Sequence, residues 1–239
     1  MPSLETFGYA FLGGLLPALI WLYFLLKEDS RCPEPRPMII IAFVVGMLCV
    51  PIVLPFESLA SEYLAAGSPL ILGWAAIEET VKYLLAALAV LWRRAVNESI
   101  DLVVYMLTVA LGFAALENAL FLLTPLSQGL FLEGLVTNNL RFIGATLLHV
   151  VASSAIGFAL AFSYKCTPMI RALAASVGLI LAILLHALFN FFIIELEGTH
   201  TLLAFFVVWI GIVVFLGLFE TLRYLRYRDL PENTCNPDL

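Results

Sequence analysis

The chain of 239 residues is 62% hydrophobic and only 13% charged, with a mean hydropathy of +1.02. Soluble domains are nearer ~45 to 50% apolar, so the composition excludes one and describes a multi-pass protein of the cell membrane. The formal net charge of -6 includes no basic stripe or dense patch, which excludes nucleic acid as a partner.

Seven apolar runs, each near the ~20 residues needed to cross a hydrocarbon core of about 30 Å, are marked off by charges and prolines. They lie near 6–26, 38–56, 69–92, 101–124, 139–163, 170–194 and 201–221. A spanning segment must satisfy its own backbone hydrogen bonds, so all seven are expected as helices. The expected architecture is all-α: one polytopic bundle over residues 1–239, without a repeat or a separate soluble domain. The start, Met1-Pro-Ser-Leu-Glu5, lacks the positive segment and cleavage site of a signal peptide, and the first run reads as a retained span.

After the first span comes Lys27-Glu-Asp-Ser-Arg-Cys-Pro-Glu34-Pro35-Arg-Pro37, a proline-rich break that ends a helix. Lys27, Arg31, Arg36, Arg93, Arg94, Lys165, Arg171, Arg223, Arg226 and Arg228 follow alternate spans, so ten of the twelve basic residues fall on one side. The opposite loops hold Glu57, Glu62, Glu133, Glu195 and Glu197, with Arg141 nearby. The positive-inside rule then places the N-terminus outside and the C-terminus in the cytoplasm. Trp21, Tyr23, Trp92, Tyr164 and Tyr224 fall near the ends of runs, where amphipathic rings favour the interface. Thr124-Pro125 ends the fourth span.

On this topology Cys32, Cys166 and Cys235 are cytoplasmic and Cys49 is within the membrane, so no disulfide is expected. Cys235 is one position out of register for a prenylation box.

The third span carries Trp74-Ala-Ala-Ile-Glu78-Glu79-Thr-Val-Lys82-Tyr83. Each charge at the centre of a membrane helix costs roughly 2.5 to 3.5 kcal/mol on insertion scales, so three together indicate a functional site. Lys82 lies four residues after Glu78 and three after Glu79, and can neutralise one of them. The other is then free to act as a general base. At ~1.5 Å rise per residue, Glu78 and Glu79, Glu117-Asn118, His149, and His186 with Asn190 share one layer. It lies on the order of 10 to 15 Å beneath the outer surface. His186 and Asn190 share a helix face, as do Phe113 and Glu117. His149 shares its face with Ala145, Ala152, Ser153 and Ile156, small enough for close helix approach. Gly112, Gly144, Gly157 and Gly178 serve the same packing.

Two imidazoles with carboxylates can form a catalytic zinc site with an open position for water. The same groups can work without metal, a glutamate taking a proton from water while His and Asn stabilise the oxyanion. Either route hydrolyses an amide. No cysteine lies in the layer, which argues against a thiol nucleophile. Intramembrane carboxylates and histidines also build proton relays, so a proton- or cation-coupled transporter is the alternative. No pair of interrupted repeats of the transporter kind is present. A seven-span receptor or scaffold gives no reason for a shared polar layer.

Glu78-Glu79-Thr-Val-Lys82 resembles the Glu-Glu-x-x-Lys motif of the PrsW intramembrane proteases, and Phe113-Ala-Ala-Leu-Glu117-Asn118 resembles their Phe-x-x-x-Glu-Asn motif. His149 and His186 sit where that family's two later histidine-bearing helices lie. Leu22-Tyr23-Phe24 to Asp29 and Glu34-Pro35 are similar to its first span and loop. The resemblance covers about residues 15 to 220. The wider superfamily holds the type II CAAX prenyl endopeptidases and Abi proteins, whose His-x-x-x-Asn pattern His186-Ala-Leu-Phe-Asn190 matches. Glu117 stands where that wider pattern has a histidine.

The resemblance implies a stress-response protease cutting a membrane-tethered anti-sigma factor on its outer side. The expected catalytic residues are Glu78, Glu79, Lys82, Glu117, His149, His186 and Asn190, with Glu78, first in the motif, favoured as base. Asn118 and Phe113 are expected at substrate. Glu117, His149 and His186 are the expected first shell if Zn²⁺ is bound.

The charge alternation predicts that reporter fusions after Glu62, Arg94 and Glu197 read outside, inside and outside. A cytoplasmic signal after Glu197 would overturn the topology.

Overall fold

The computed structural model describes residues 3–28, 33–130, 144–195 and 201–227. These form seven α-helices and, among the described residues, no strand. They are α1 (Leu4–Glu28), α2 (Arg36–Tyr63), α3 (Ser68–Ala86), α4 (Ser99–Ser127), α5 (Ala145–Phe162), α6 (Pro168–Asn190) and α7 (Thr201–Tyr227). Single π-helical turns, Ala87–Leu91 and Phe191–Glu195, continue α3 and α6. Six helices are long and apolar enough to cross a membrane. The seventh, α3, carries Glu78, Glu79 and Lys82.

Asp29, Arg31, Cys32, Glu133, Arg141, Glu197, Arg228, Cys235 and the first residues of the expected fifth span lie outside the described residues, as do the side chains of Glu195 and Arg226. Cys49 is buried within α2, and Cys166 is exposed in the turn after α5.

Two boundaries differ from the expectation. The second helix runs through Pro51 and Pro55 to Tyr63 rather than stopping near 56. In a membrane bundle, neighbouring helices and local adjustments re-satisfy the backbone groups that proline frees. Glu57 is therefore a helical residue of α2 and not part of an outer loop. The fourth helix likewise includes Pro125 and ends at Ser127.

Helix α4 is the axis of the bundle. Its apolar window is 89% buried, against 22% for α1 and 17% for α7. A helix apolar all round belongs inside a bundle, and α4 packs on α1, α2 and α5. Helices α2, α3, α6, α5 and α4 contact one another in that cyclic order, so five helices close a ring. Helix α1 lies outside this ring against α4, and α7 lies outside it against α5.

The start of α4 is fixed by a reciprocal cap: Asp101 Oδ2 accepts from the backbone N–H of Asn97 at 2.9 Å and of Glu98 at 2.8 Å. Such caps satisfy amides left over at a helix N-terminus. One turn further on, the buried Tyr105 hydroxyl donates to the carboxylate of Glu34, tying the α1–α2 connection to α4.

Close approach of α2 to α4 depends on two glycines. A Cβ on Gly46 would run into the carbonyl oxygen of Val109, and one on Gly112 into that of Phe43. Both obstacles are backbone and cannot swing away. Gly157 and Gly178 meet neighbouring helices in the same way, at Val103 and at Ala155 with Ile156.

Gly46→Ala and Gly112→Ala are expected to lose about 1 to 3 kcal/mol or more through overpacking. Gly8→Ala, where nothing lies within 4 Å, serves as the neutral reference. Thermal unfolding in detergent checks the ranking, and equal midpoints for all three would contradict it.

Candidate active site

Within the ring, α3 presents Glu78, Glu79 and Lys82, α4 Phe113 and Glu117, α5 His149, and α6 His186 and Asn190. Helical spacing decides who faces inward: Glu78 and Lys82 are one turn apart, as are Phe113 and Glu117, His149 and Ser153, and His186 and Asn190. Glu79 and Lys82 are 0% exposed and Glu78 only 6%.

The Lys82 ammonium is the hub. Its Nζ donates to Glu79 Oε1 at 2.8 Å and to Glu78 Oε2 at 3.3 Å. It also donates to His149 Nδ1 at 2.9 Å, and lies 3.8 Å from the centre of the Phe113 ring. The sequence led to the expectation that the lysine pairs with one glutamate; in the structure it holds both. An ammonium can only donate, so Nδ1 of His149 accepts and the ring proton sits on Nε2. That nitrogen donates to Glu117 Oε2 at 3.1 Å.

Glu79 is saturated. Its Oε1 accepts from Lys82 and, at 2.9 Å, from His186 Nδ1, while its Oε2 accepts from the buried Ser153 hydroxyl at 2.9 Å. Glu78 is held more loosely. Besides Lys82 it faces His186 Nε2 at 3.9 Å, and it borders the central cavity. Of the two adjacent carboxylates, Glu79 therefore anchors the cluster and Glu78 faces the open space. The two imidazole rings stand edge to face, 5.0 Å apart.

That cavity has a volume of about 770 Å³. Its floor is Glu78, Phe113, Glu117, His149 and His186. Asn190, Trp74, Glu57 and Thr124 continue the wall with apolar residues such as Leu54 and Ile193. Asn118, expected at substrate, is buried between helices and donates to Thr146 Oγ1 at 3.0 Å. It is not among the residues lining the cavity.

Two participants were not singled out for the site from the sequence. In the sequence Ser153 reads only as a small residue for packing, and its position one turn after His149 is the available signal. Glu57 reads as a loop residue in the sequence, because Pro51 and Pro55 stand near the end of the apolar run.

A metal has a suitable donor set here. Ligand atoms of Glu78, Glu79, His149 and His186, all buried, lie within 4.8 Å of one another. This grouping brings in the glutamate pair of α3, whereas Glu117 meets the cluster through His149. His186 has the orientation of a metal-binding imidazole: its Nδ1–H is held by a carboxylate and Nε2 is left for a ligand. His149 would offer a neutral Nε2 only in its other tautomer, with the ring proton on Nδ1 and the bond from Lys82 given up.

A family model described as PrsW family intramembrane metalloprotease matches residues 34–218. The chain is 26% identical over 208 residues to "Protease PrsW" of Clostridioides difficile (strain 630), covering 83% of this chain and 85% of that protein. It is also 26% identical over 205 residues to "Protease PrsW" of Bacillus subtilis (strain 168), covering 83% and 90%. Over 149 residues it is 32% identical to "Protease PrsW" of Geobacillus kaustophilus (strain HTA426), covering 61% and 62%. No solved structure matches it.

Lys82→Met is expected to destabilise the protein by about 3 to 5 kcal/mol, because two buried carboxylates lose their cation. The double variant Lys82→Met with Glu79→Gln removes one of those charges and should recover part of the loss. Thermal unfolding of both in the same detergent tests this; a single variant as stable as the wild type would refute the hub.

Proposed function

Because the chain belongs to the PrsW family of intramembrane metalloproteases and is a membrane peptidase, we propose that it cuts a membrane-tethered protein in the outer half of the bilayer. Glu78 is the general base in this reading. The observation that carries it is the asymmetry of the glutamate pair: Glu79 is closed off by Lys82, His186 and Ser153, and Glu78 alone borders the cavity.

Water placed against Glu78 gives its proton to that carboxylate as its oxygen attacks the scissile carbonyl carbon. The proton then passes to the departing amine as the C–N bond breaks. Lys82 keeps Glu78 oriented and limits the repulsion between adjacent carboxylates. Asn190 and, in its imidazolium form, His186 stand one turn apart on the cavity wall, placed to donate to the developing oxyanion. Glu117 holds the His149 ring, and Phe113 closes the floor beneath Lys82. Asn118 acts from behind the wall, holding the start of α5 through Thr146.

Zn²⁺ would be held by His186, His149 and Glu117, leaving Glu78 free as base, and would supply Lewis-acid polarisation of the scissile carbonyl. The outer placement rests on the charge alternation, which puts the cluster nearer the outer end of the bundle. A site-one cut of an anti-sigma factor accords with this depth and with the resemblance of the motifs. The transport alternative gains no support from the relatives.

Purified protein should cleave a reconstituted, membrane-tethered anti-sigma factor. Glu78→Gln should lower the rate by more than about a hundredfold at unchanged thermal stability, and Glu79→Gln should lower both. Full activity in both variants would refute the assignment. Elemental analysis should find one zinc per chain, lost together with activity in His186→Ala. Absence of zinc, with cleavage untouched by strong chelators, would leave the metal-free glutamate route.

A further inference from the structure

The mechanism leaves one carboxylate of the cavity wall unused. Glu57 stands on α2, half-buried, in the wall of the cavity that holds the residues that perform the chemistry. Its position is fixed from α3, since Trp74 Nε1 donates to the Glu57 carbonyl oxygen at 3.3 Å. Trp74 precedes Glu78 by one helical turn, a rise of roughly 6 Å, so the Trp74 ring that meets Glu57 starts about one turn from the base along α3. Its carboxylate makes no hydrogen bond or ion pair with any other described residue. Among the described residues of the wall, the other carboxylates are Glu78 and Glu117, of the same sign, and none of those residues is a Lys or Arg.

A carboxylate in a half-buried wall loses hydration, and like-charged neighbours add repulsion. A cation brought by the substrate would relieve both. The Trp74 ring beside it offers a face of the kind that attracts ammonium and guanidinium groups. Distance sets which substrate residue that would be. An extended peptide advances ~3.3 Å per residue and turns alternate side chains to the same wall, so ~6 Å corresponds to two residues.

We infer that Glu57 selects substrates with a Lys or Arg two residues from the scissile bond, its carboxylate pairing with the cation against the Trp74 ring. The inference rests on the protease reading of the same cavity and names the segment class it accepts: a tether with a basic residue beside the cut, rather than a uniformly apolar or acidic one. The long apolar stems of Lys and Arg suit the apolar upper wall while the charged head reaches Glu57. Glu57 is a specificity residue in this account and takes no part in bond cleavage.

The full-length protein, purified in detergent, would be incubated with a synthetic peptide library of randomised sequence, and cut bonds read by mass spectrometry. Wild type should show Lys and Arg enriched, and Asp and Glu depleted, two positions from the cut. Individual peptides carrying Lys or norleucine there should then differ in kcat/KM by about tenfold or more, mainly through KM. Glu57→Gln should bring that ratio close to one, Glu57→Asp should keep part of it, and Glu57→Lys should reverse the preference toward acidic residues. Cleavage by wild type without basic enrichment, or enrichment that survives in Glu57→Gln, overturns the inference and leaves the protease reading standing. A wild type that cuts no peptide and no tethered protein overturns both.

Discussion

The bundle depends on one fully buried ammonium, that of Lys82. Isolated, a charge so deep would be prohibitive, and so would either carboxylate beside it. Together Lys82, Glu78 and Glu79 are tolerable, because each donor of the lysine finds an acceptor and the carboxylates gain further partners in His186 and Ser153. Removing one partner of such a cluster harms more than the cluster as a whole gains. The cluster therefore demands that α3, α5 and α6 keep their mutual rotation, since each contributes a group that the others satisfy.

That demand explains the architecture around it. A polar cluster drawn from several helices needs them close and held in register. Helix α4 supplies the axis, apolar on all sides, and Gly46 and Gly112 let α2 approach to backbone contact. Small residues at such crossings are the usual route to tight packing in lipid, where no hydrophobic drive separates helix from tail. The capped start of α4 and the Tyr105 bond to Glu34 secure its opposite end. Rigid surroundings of this kind are what a preorganised site requires, because donors must already point where charge will develop.

The division of labour between the two adjacent glutamates follows from partner count. Glu79 is enclosed by Lys82, His186 and Ser153 and sets the orientation of the His186 ring. Glu78 keeps one side toward the cavity. A carboxylate behind an imidazole fixes which ring nitrogen is offered forward, so the same geometry serves a metal or a metal-free oxyanion site. The upper wall, with Glu57 and Trp74, gives the cavity an electrostatic character distinct from its apolar lining.

Much of this was legible in the sequence. Depth follows from rise per residue and facing within a helix from the 3.6-residue period, so a shared layer for Glu78, Glu79, Glu117, His149 and His186 could be read from spacing. The seven helices were legible too, because a bilayer leaves a lone segment no other way to satisfy its backbone. Periodicity is local, however, and says nothing about how one helix is turned against the next. Only the packed structure decided that Lys82 bridges both glutamates, that Ser153 serves Glu79, and that Asn118 turns toward Thr146. It alone placed Glu57 in the cavity wall, since a proline-ended run looks like a loop until neighbouring helices carry α2 through it. The choice among acceptors for a buried proton rests on ångström-scale distances between helices far apart in the chain, and those distances exist only in the tertiary fold.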